Sequence, residues 1–423
     1  MEQNLSNLIR PMSVVAQEAI NYIEGRRNRN IVSLKTRWGK FNKQCMGGIE
    51  PNVVMTIAGI SGSGKSSWAN LLQTDLFDFN PNENVMLSKL SSSDMNSIIN
   101  TLDKYYLELR DTIGKYPSDT VGFEFEFEDY DETLIRSEMN NKGYFKENYK
   151  LYKDGDDYLV NDFQNIGEIC TPILNISNIN WNRIKDLCYI IKKSGYIGNN
   201  SGAHIHIGAQ ILNNNMTSVT NFTAMIIAYE NILARFFYGN FINERLSMHT
   251  YAPPVANDWY DVYLHFELYR HTKYEIKDII NILSGYFEKN QFINLSNASY
   301  LGEEYVNNTF EYRAPNGTLD PVIWQNNLNI IVKMMKYCNS DNFNLELVEN
   351  RISKNIMNLS NYKYYRSIDI DGLLEFADLI FDNNLDKIYF LRQYLKDNMY
   401  TDNKVLVLSR KFTETPYNDN DMV

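Results

Sequence analysis

The sequence predicts an α+β fold over residues 121–400, a mainly antiparallel sheet with helices on one face, preceded by a small α/β segment over residues 1–110. Three observations predict it. Short runs with strict two-residue alternation recur at 121–128, 201–208 and 309–313, the pattern of strands with one buried face. Between and beyond them lie longer runs whose apolar residues repeat at helical spacing. Ahead of both, an apolar run leads into a glycine-rich loop and then a helix-compatible stretch.

Bulk composition sets the frame. The chain has 423 residues, 44% hydrophobic and 22% charged, as an ordinary globular protein does. Aromatic residues make up 13%, led by 30 tyrosines, and asparagine is abundant in the loops and the tail. A net charge of −11 argues against nucleic acid or an anionic membrane surface as the main partner. Cys45, Cys170, Cys188 and Cys338 form no CxxC pair and read as reduced thiols of a cytosolic protein. The N-terminal MEQNLSNLIRPMSVV lacks the apolar core and small-residue site of a signal peptide. No apolar run approaches the roughly 20 residues of a membrane helix. The expectation is a soluble, cytoplasmic protein.

Taken in order, Val53 to Ala58 is a short apolar run that suits a buried strand. It enters Gly59-Ile60-Ser61-Gly62-Ser63-Gly64-Lys65-Ser66, which satisfies G-x-x-x-x-G-K-[ST]. Glycines let backbone N–H groups turn in on a phosphate, the following helix adds its dipole, Lys65 meets the phosphates and Ser66 can hold magnesium. The lead-in SLKTRWGKFNKQCMGGIEPN resembles the approach to this loop in RecA-type ATPases and replicative helicases, over residues 30–90 only. The next strand candidate, NVMLSKLSSS, carries no terminal acid, so the segment reads as an incomplete nucleotide-binding domain. Ser93 or Asp94 can cap a helix along Ile98, Leu102, Tyr105 and Leu109. Residues 111–120, with Gly114 and Pro117, read as a linker.

Residues 121–128 alternate Phe123, Phe125 and Phe127 with Glu124, Glu126 and Glu128. Three carboxylates on one face repel one another unless a cation sits among them, and hard oxygen ligands suit magnesium. A helix is predicted over 181–194, with Trp181, Ile184, Leu187, Cys188 and Ile191 on its apolar side. Ser201 to Gly208 puts His204 and His206, two of five histidines, on one face of a strand. A further helix covers 219–237. In 309–313, Glu311 and Arg313 share a face, followed by the turn-rich Ala314 to Pro321. Leu373 to Leu395 reads as helical, broken near Asn383 and Asn384, and residues 401–423 as a polar tail. Each polar pair also fits a sheet with one wet face and no chemistry. A zinc site on His204 and His206 is a further reading, although neither an HExxH helix nor a cysteine cluster accompanies it.

Together, these blocks resemble the amidoligase family of glutamine synthetase-like carboxylate-amine ligases, in order over residues 120–340. GFEFEF at Gly122 to Phe127 is similar to the family's first metal-binding strand. Tyr152 to Leu174 is similar to its next block, with Glu168 ahead of Thr171-Pro172. SGAHIHIG is similar to its GxHxH strand, with Ser201 where many members have cysteine. The helix that holds Glu230, then Asn243-Glu244-Arg245 before Tyr251-Ala252-Pro253, and finally Asn294 to Pro321 complete the match. The P-loop segment is not part of it.

The resemblance implies a curved sheet carrying the site, ATP and Mg2+ as cofactors, and small-molecule or peptide carboxylates and amines as substrates. It implies Glu124, Glu126, Glu168, His204 and Glu311 as metal ligands. Arg313 would stabilise the moving phosphoryl group and Arg245 an anionic substrate group or phosphate. His206 would support the metal ligands or contact nucleotide, and Glu128 would be a supporting or solvated residue. Three rivals remain: a RecA or helicase-type ATPase using Gly59, Gly64, Lys65 and Ser66, a metal-dependent hydrolase, and a non-catalytic binding module.

Overall fold

The computed structural model describes residues 12–28, 33–45, 47–50, 84–89, 107–110, 119–154, 166–198, 201–213, 215–238, 248–272, 278, 286–299, 308–359, 365, 369–395, 400–401 and 404–405. Contacts divide the chain into two compact units, Met1–Thr101 with Asp382–Leu385 and Leu102–Phe381 with Asp386–Val423.

In the first unit the described elements are α1 (Met12–Arg27) and α2 (Gly39–Gln44). Leu34 and Ile49 form an antiparallel bridge, and the Thr36 N–H and hydroxyl both donate to Asn42. The expected strand at 53–58 and the glycine-rich loop with Gly59, Gly64, Lys65 and Ser66 lie outside the described residues.

The second unit is built on β1 (Thr120–Glu128), whose Val121, Phe123, Phe125 and Phe127 are all buried. The other strands of its sheet are β2 (Lys150–Asp154), β3 (Ile166–Cys170), β4 (Leu174–Asn175), β5 (Ala203–Gly208), β6 (Ile293–Asn294) and β7 (Thr309–Tyr312). Seven of the described strands form one sheet in the order β2-β3-β1-β5-β7-β6, with β4 also on β1. Every pairing is antiparallel, so the predicted α+β class with an antiparallel sheet is observed. Two more short strands, β8 (Tyr400–Thr401) and β9 (Lys404–Val405), pair with each other where a polar tail was expected.

Helices cover the apolar side of the sheet. After α3 (Glu132–Asn141), α4 (Trp181–Lys192) starts at Asn180, whose side chain accepts from the N–H groups of Asn182 and Arg183. Trp181 of α4 lies 6.1 Å from the Phe123 ring. In α5 (Met216–Tyr238) almost every side chain is buried, as in a helix passing through a core. Its Phe222 stacks on Phe310 of β7, with centroids 5.4 Å apart. Then come α6 (Ala256–Tyr269) and α7 (Pro321–Cys338). Asp320 accepts from the Val322 N–H and Pro321 occupies the first turn, so α7 is fixed where it leaves the loop after β7. Trp324 of α7 packs 4.3 Å from Phe125 and 5.4 Å from Phe123. Thus the helices expected at 181–194 and 219–237 form within two or three residues of those bounds and pack against the apolar sheet face.

After α8 (Leu345–Asn355), the segment 373–395 forms α9 (Ile370–Ile380) and α10 (Asn384–Tyr394), broken where the asparagines predict. One expectation is corrected. The helix expected to run to Leu109 does not include its described end, because residues 107–110 are irregular. There the Arg110 N–H donates to Gln325 Oε1 at 2.8 Å and Gln325 Nε2 donates back to the Arg110 carbonyl at 2.7 Å, so a side-chain amide takes both backbone groups. Among the described residues no helix is long and apolar enough to cross a membrane.

Candidate active site

Strand register decides which side chains meet. Glu124 lies opposite Cys170 of β3 on one side and His204 of β5 on the other. Glu126 pairs with Glu168. Gly122 pairs with His206, His206 with Glu311, and Glu311 with Asn294. Residues directly opposite in a ladder share a face. The three alternating strands therefore deliver Glu124, Glu126, His204, His206 and Glu311 to the face away from the phenylalanines, and β3 adds Glu168.

The side chains converge on Glu124. Its two oxygens meet His204 Nδ1 at 2.9 Å and His206 Nε2 at 2.8 Å. His204 Nδ1 is 3.7 Å from Glu311 Oε1, and its Nε2 is 3.4 Å from Glu126 Oε1. Glu126 accepts from the Gly202 N–H through its other oxygen. Glu311 accepts from Arg313 Nη1 at 2.6 Å and from Asn294 Nδ2 at 2.8 Å. Glu168 accepts from the Cys170 thiol at 2.6 Å. Among the described residues, two sets each bring their potential ligand atoms within 4.8 Å of one another, Glu124 with His204 and Glu311, and Glu124 with Glu168 and Cys170.

Electrostatics follow from this crowding. Burial disfavours the Glu124 carboxylate, but the bonds and charge of His204 and His206 outweigh it and hold this group well below the usual carboxylate range. Burial also works against a charged His206, and Glu124 reverses that, raising its proton affinity. Glu168 is pushed up by burial and then by the charge of Glu124, which the Cys170 bond only partly offsets. The Cys170 thiol is raised by burial and by Glu168, so it stays protonated.

The donor set fits a divalent cation. His204 has carboxylate oxygens at both ring nitrogens, yet a neutral imidazole carries only one N–H. One nitrogen lone pair then faces an oxygen lone pair unless a second proton or a metal ion lies between them. Glu168 faces the same shortage of positive charge beside Glu124. Carboxylate-rich sets of this kind suit magnesium or manganese.

Glu128 stands apart from the cluster. It is buried and accepts from Ser201 Oγ at 3.2 Å, which corrects the solvated option for this residue. Gly198 makes room for it, because a Cβ there would overlap the Glu128 carboxyl. Arg245, like Gly59, Gly64, Lys65 and Ser66, lies outside the described residues. Sequence reasoning missed three neighbours. Cys170 follows Glu168 at the same two-residue spacing as the other pairs and could have been found by it. Lys150 lies opposite Cys170, in the cross-sheet row that contains Glu124 and His204. Asn294 sits on a two-residue strand with no alternation to read.

With this geometry in place, comparison with known proteins adds one finding. Residues 130–335 match the family model described as "Putative amidoligase enzyme". The match supports the amidoligase family and, at that level, an enzyme of the ATP-dependent ligase type. It spans Glu168, His204, His206, Glu311 and Arg313, while β1 and the P-loop segment precede it. No curated protein and no solved structure matches the chain.

Proposed function

We propose that this chain joins a carboxylic acid to an amine at the expense of ATP, through an acyl phosphate, on a fold of the glutamine synthetase-like ligase type. The observation that carries the proposal is the meeting of Glu124, Glu126, Glu168, His204 and Glu311 on one sheet face, within the region matched by the amidoligase family or directly beside it.

A carboxylate resists amine attack because oxide would have to leave. Transfer of the γ-phosphoryl group of ATP to a carboxylate oxygen creates a competent leaving group. The amine lone pair then attacks the acyl carbon, the bond to the phosphate oxygen breaks, inorganic phosphate departs and the nitrogen gives up a proton. The protein's task in the first step is positioning and charge neutralisation.

In this account Glu124, Glu126, Glu168, His204 and Glu311 hold Mg2+. The bound ion supplies positive charge to the phosphoryl oxygens during transfer. Arg313, oriented by Glu311, stabilises the phosphoryl group as it moves. His206 keeps Glu124 ionised and contacts the nucleotide. Arg245 holds an anionic substrate group or phosphate. Asn294 orients Glu311 from the edge strand. The sequence motif with Gly59, Gly64, Lys65 and Ser66 takes no part in this reaction.

The test is amine-dependent ADP release from the full chain with pooled amines and acids. Glu126→Ala and Glu311→Ala should abolish it, and Lys65→Ala should leave it in place. Loss of activity in Lys65→Ala alone would make the N-terminal loop the engine and overturn the proposal.

A further inference from the structure

The second unit holds a cleft of about 480 Å³, in the size range of small-molecule sites. Two segments of chain tie it to the cluster. In the first, the Tyr251 carbonyl accepts from Arg313 Nε at 3.3 Å, and the Pro253 carbonyl accepts from the Phe292 N–H at 2.8 Å. In the second, the Phe292 carbonyl accepts from the Arg313 N–H at 3.1 Å, and Asn294 holds Glu311 at 2.8 Å. Pro253 and Gln291 of these segments line the cleft. The cleft therefore lies one short stretch of backbone from Arg313 and Glu311.

Its chemistry is one-sided. Asp258 and Glu288 are the charged groups among its described lining residues, and both are acidic and exposed. Asn257, Asn290 and Tyr365 add polar edges. Gln291 decides the matter. It is 6% exposed, and its Oε1 has no hydrogen-bond partner among the described residues. Its Nε2 donates to the Tyr286 carbonyl at 3.5 Å, so turning the amide over would set two carbonyl oxygens against each other. The end left over is an acceptor. A buried acceptor without a donor is costly, and a ligand N–H removes that cost.

Two carboxylates and an unmatched carbonyl oxygen select a ligand rich in N–H donors and positive charge. They disfavour an anion, and an uncharged alkyl chain satisfies none of them. We infer that this cleft receives the amine substrate, and that the amine carries a second cationic nitrogen held by Asp258, Glu288 and Gln291. The second nitrogen stays protonated in the cleft while the other is delivered toward Arg313 and Glu311. This assignment rests on the ligase reading for the fate of the reacting nitrogen, but not for the binding itself.

Isothermal titration of the full chain with 1,5-diaminopentane tests it, with 1,5-pentanediol and glutarate as probes of the same length. The diamine should bind and the diol and the diacid should not. Asp258→Asn and Glu288→Gln should each weaken binding roughly threefold to fivefold, as expected for exposed charges, and the double variant by about the product. Gln291→Leu should weaken it further, with a thermal melt checking its fold. The two carboxylate variants, being exposed, carry the test if Gln291→Leu unfolds. Equal diamine affinity in the double variant and the wild type, or equal binding of diol and diamine, overturns the cleft assignment. Amine-dependent ADP release is measured in parallel. Diamine binding that is weakened in the variants, without such release, upholds the cation cleft and removes the ligase reading alone.

Discussion

At the scale of single residues, the fold beside the site depends on groups that are small or absent. Gly198 is the clearest case, since any side chain there meets the buried Glu128 carboxyl. The carboxyl cannot retreat freely, because Ser201 Oγ donates to it and the strand backbone at Glu128 is bonded to Tyr196. Gly198→Ala should therefore destabilise the fold by about 1–3 kcal/mol, the usual cost of overfilling a packed position. The denaturant midpoint of the variant measures this, and an unchanged midpoint would show that the Glu128 corner yields. Glu124 illustrates the opposite dependence, on neighbours present. With two imidazoles bonded to its oxygens it remains ionised, and that charge in turn raises the proton affinity of Glu168.

At the scale of elements, α5 and α6 are tied by a buried charge-capable group. Glu230 of α5 accepts from the N–H groups of Val255 and Ala256 at 2.6 and 2.9 Å, at the start of α6, and from the Tyr365 hydroxyl at 2.8 Å. Burial pushes its carboxyl up to about 7, although these three donors favour the charged form. An unfolded glutamic acid releases its proton near pH ~4.3. Between that pH and about 7 the folded protein holds a proton that the unfolded chain has lost. Stability from this group is then complete below pH ~4.3 and is lost as pH rises through about 7, by roughly 2–4 kcal/mol. Chemical denaturation at pH 5 and pH 8 should show wild type losing more stability than Glu230→Gln across that interval. Parallel pH profiles would contradict the assignment. Strand elements show how far sequence reaches. Two-residue alternation sets the face of Glu124, Glu126, His204, His206 and Glu311 before any pairing is known, so their shared face was legible. The order of strands was not, since it depends on which apolar edges meet. Asn294 and Lys150 stayed hidden because only register brings them into the rows of Glu311 and Glu124. Residues 107–110, expected to end a helix, are irregular for a non-local reason, the Gln325 amide that captures Arg110 from 215 residues away.

At the scale of the whole molecule, the family match, the antiparallel sheet and the convergent carboxylates all lie in the second unit. The glycine-rich loop belongs to the first. The central claim is that Glu124, Glu126, Glu168, His204 and Glu311 make one cation pocket, and that the loop around Lys65 does not. Manganese(II) serves as a paramagnetic probe of such a pocket because it accepts the same hard oxygen ligands as magnesium. The most direct test titrates manganese(II) into the metal-free full chain, following the free ion by electron paramagnetic resonance. Wild type and Lys65→Ala should bind the ion saturably and alike, while Glu124→Gln and Glu311→Gln should bind at least roughly tenfold more weakly. Affinity in Glu124→Gln equal to that of the wild type would contradict the account.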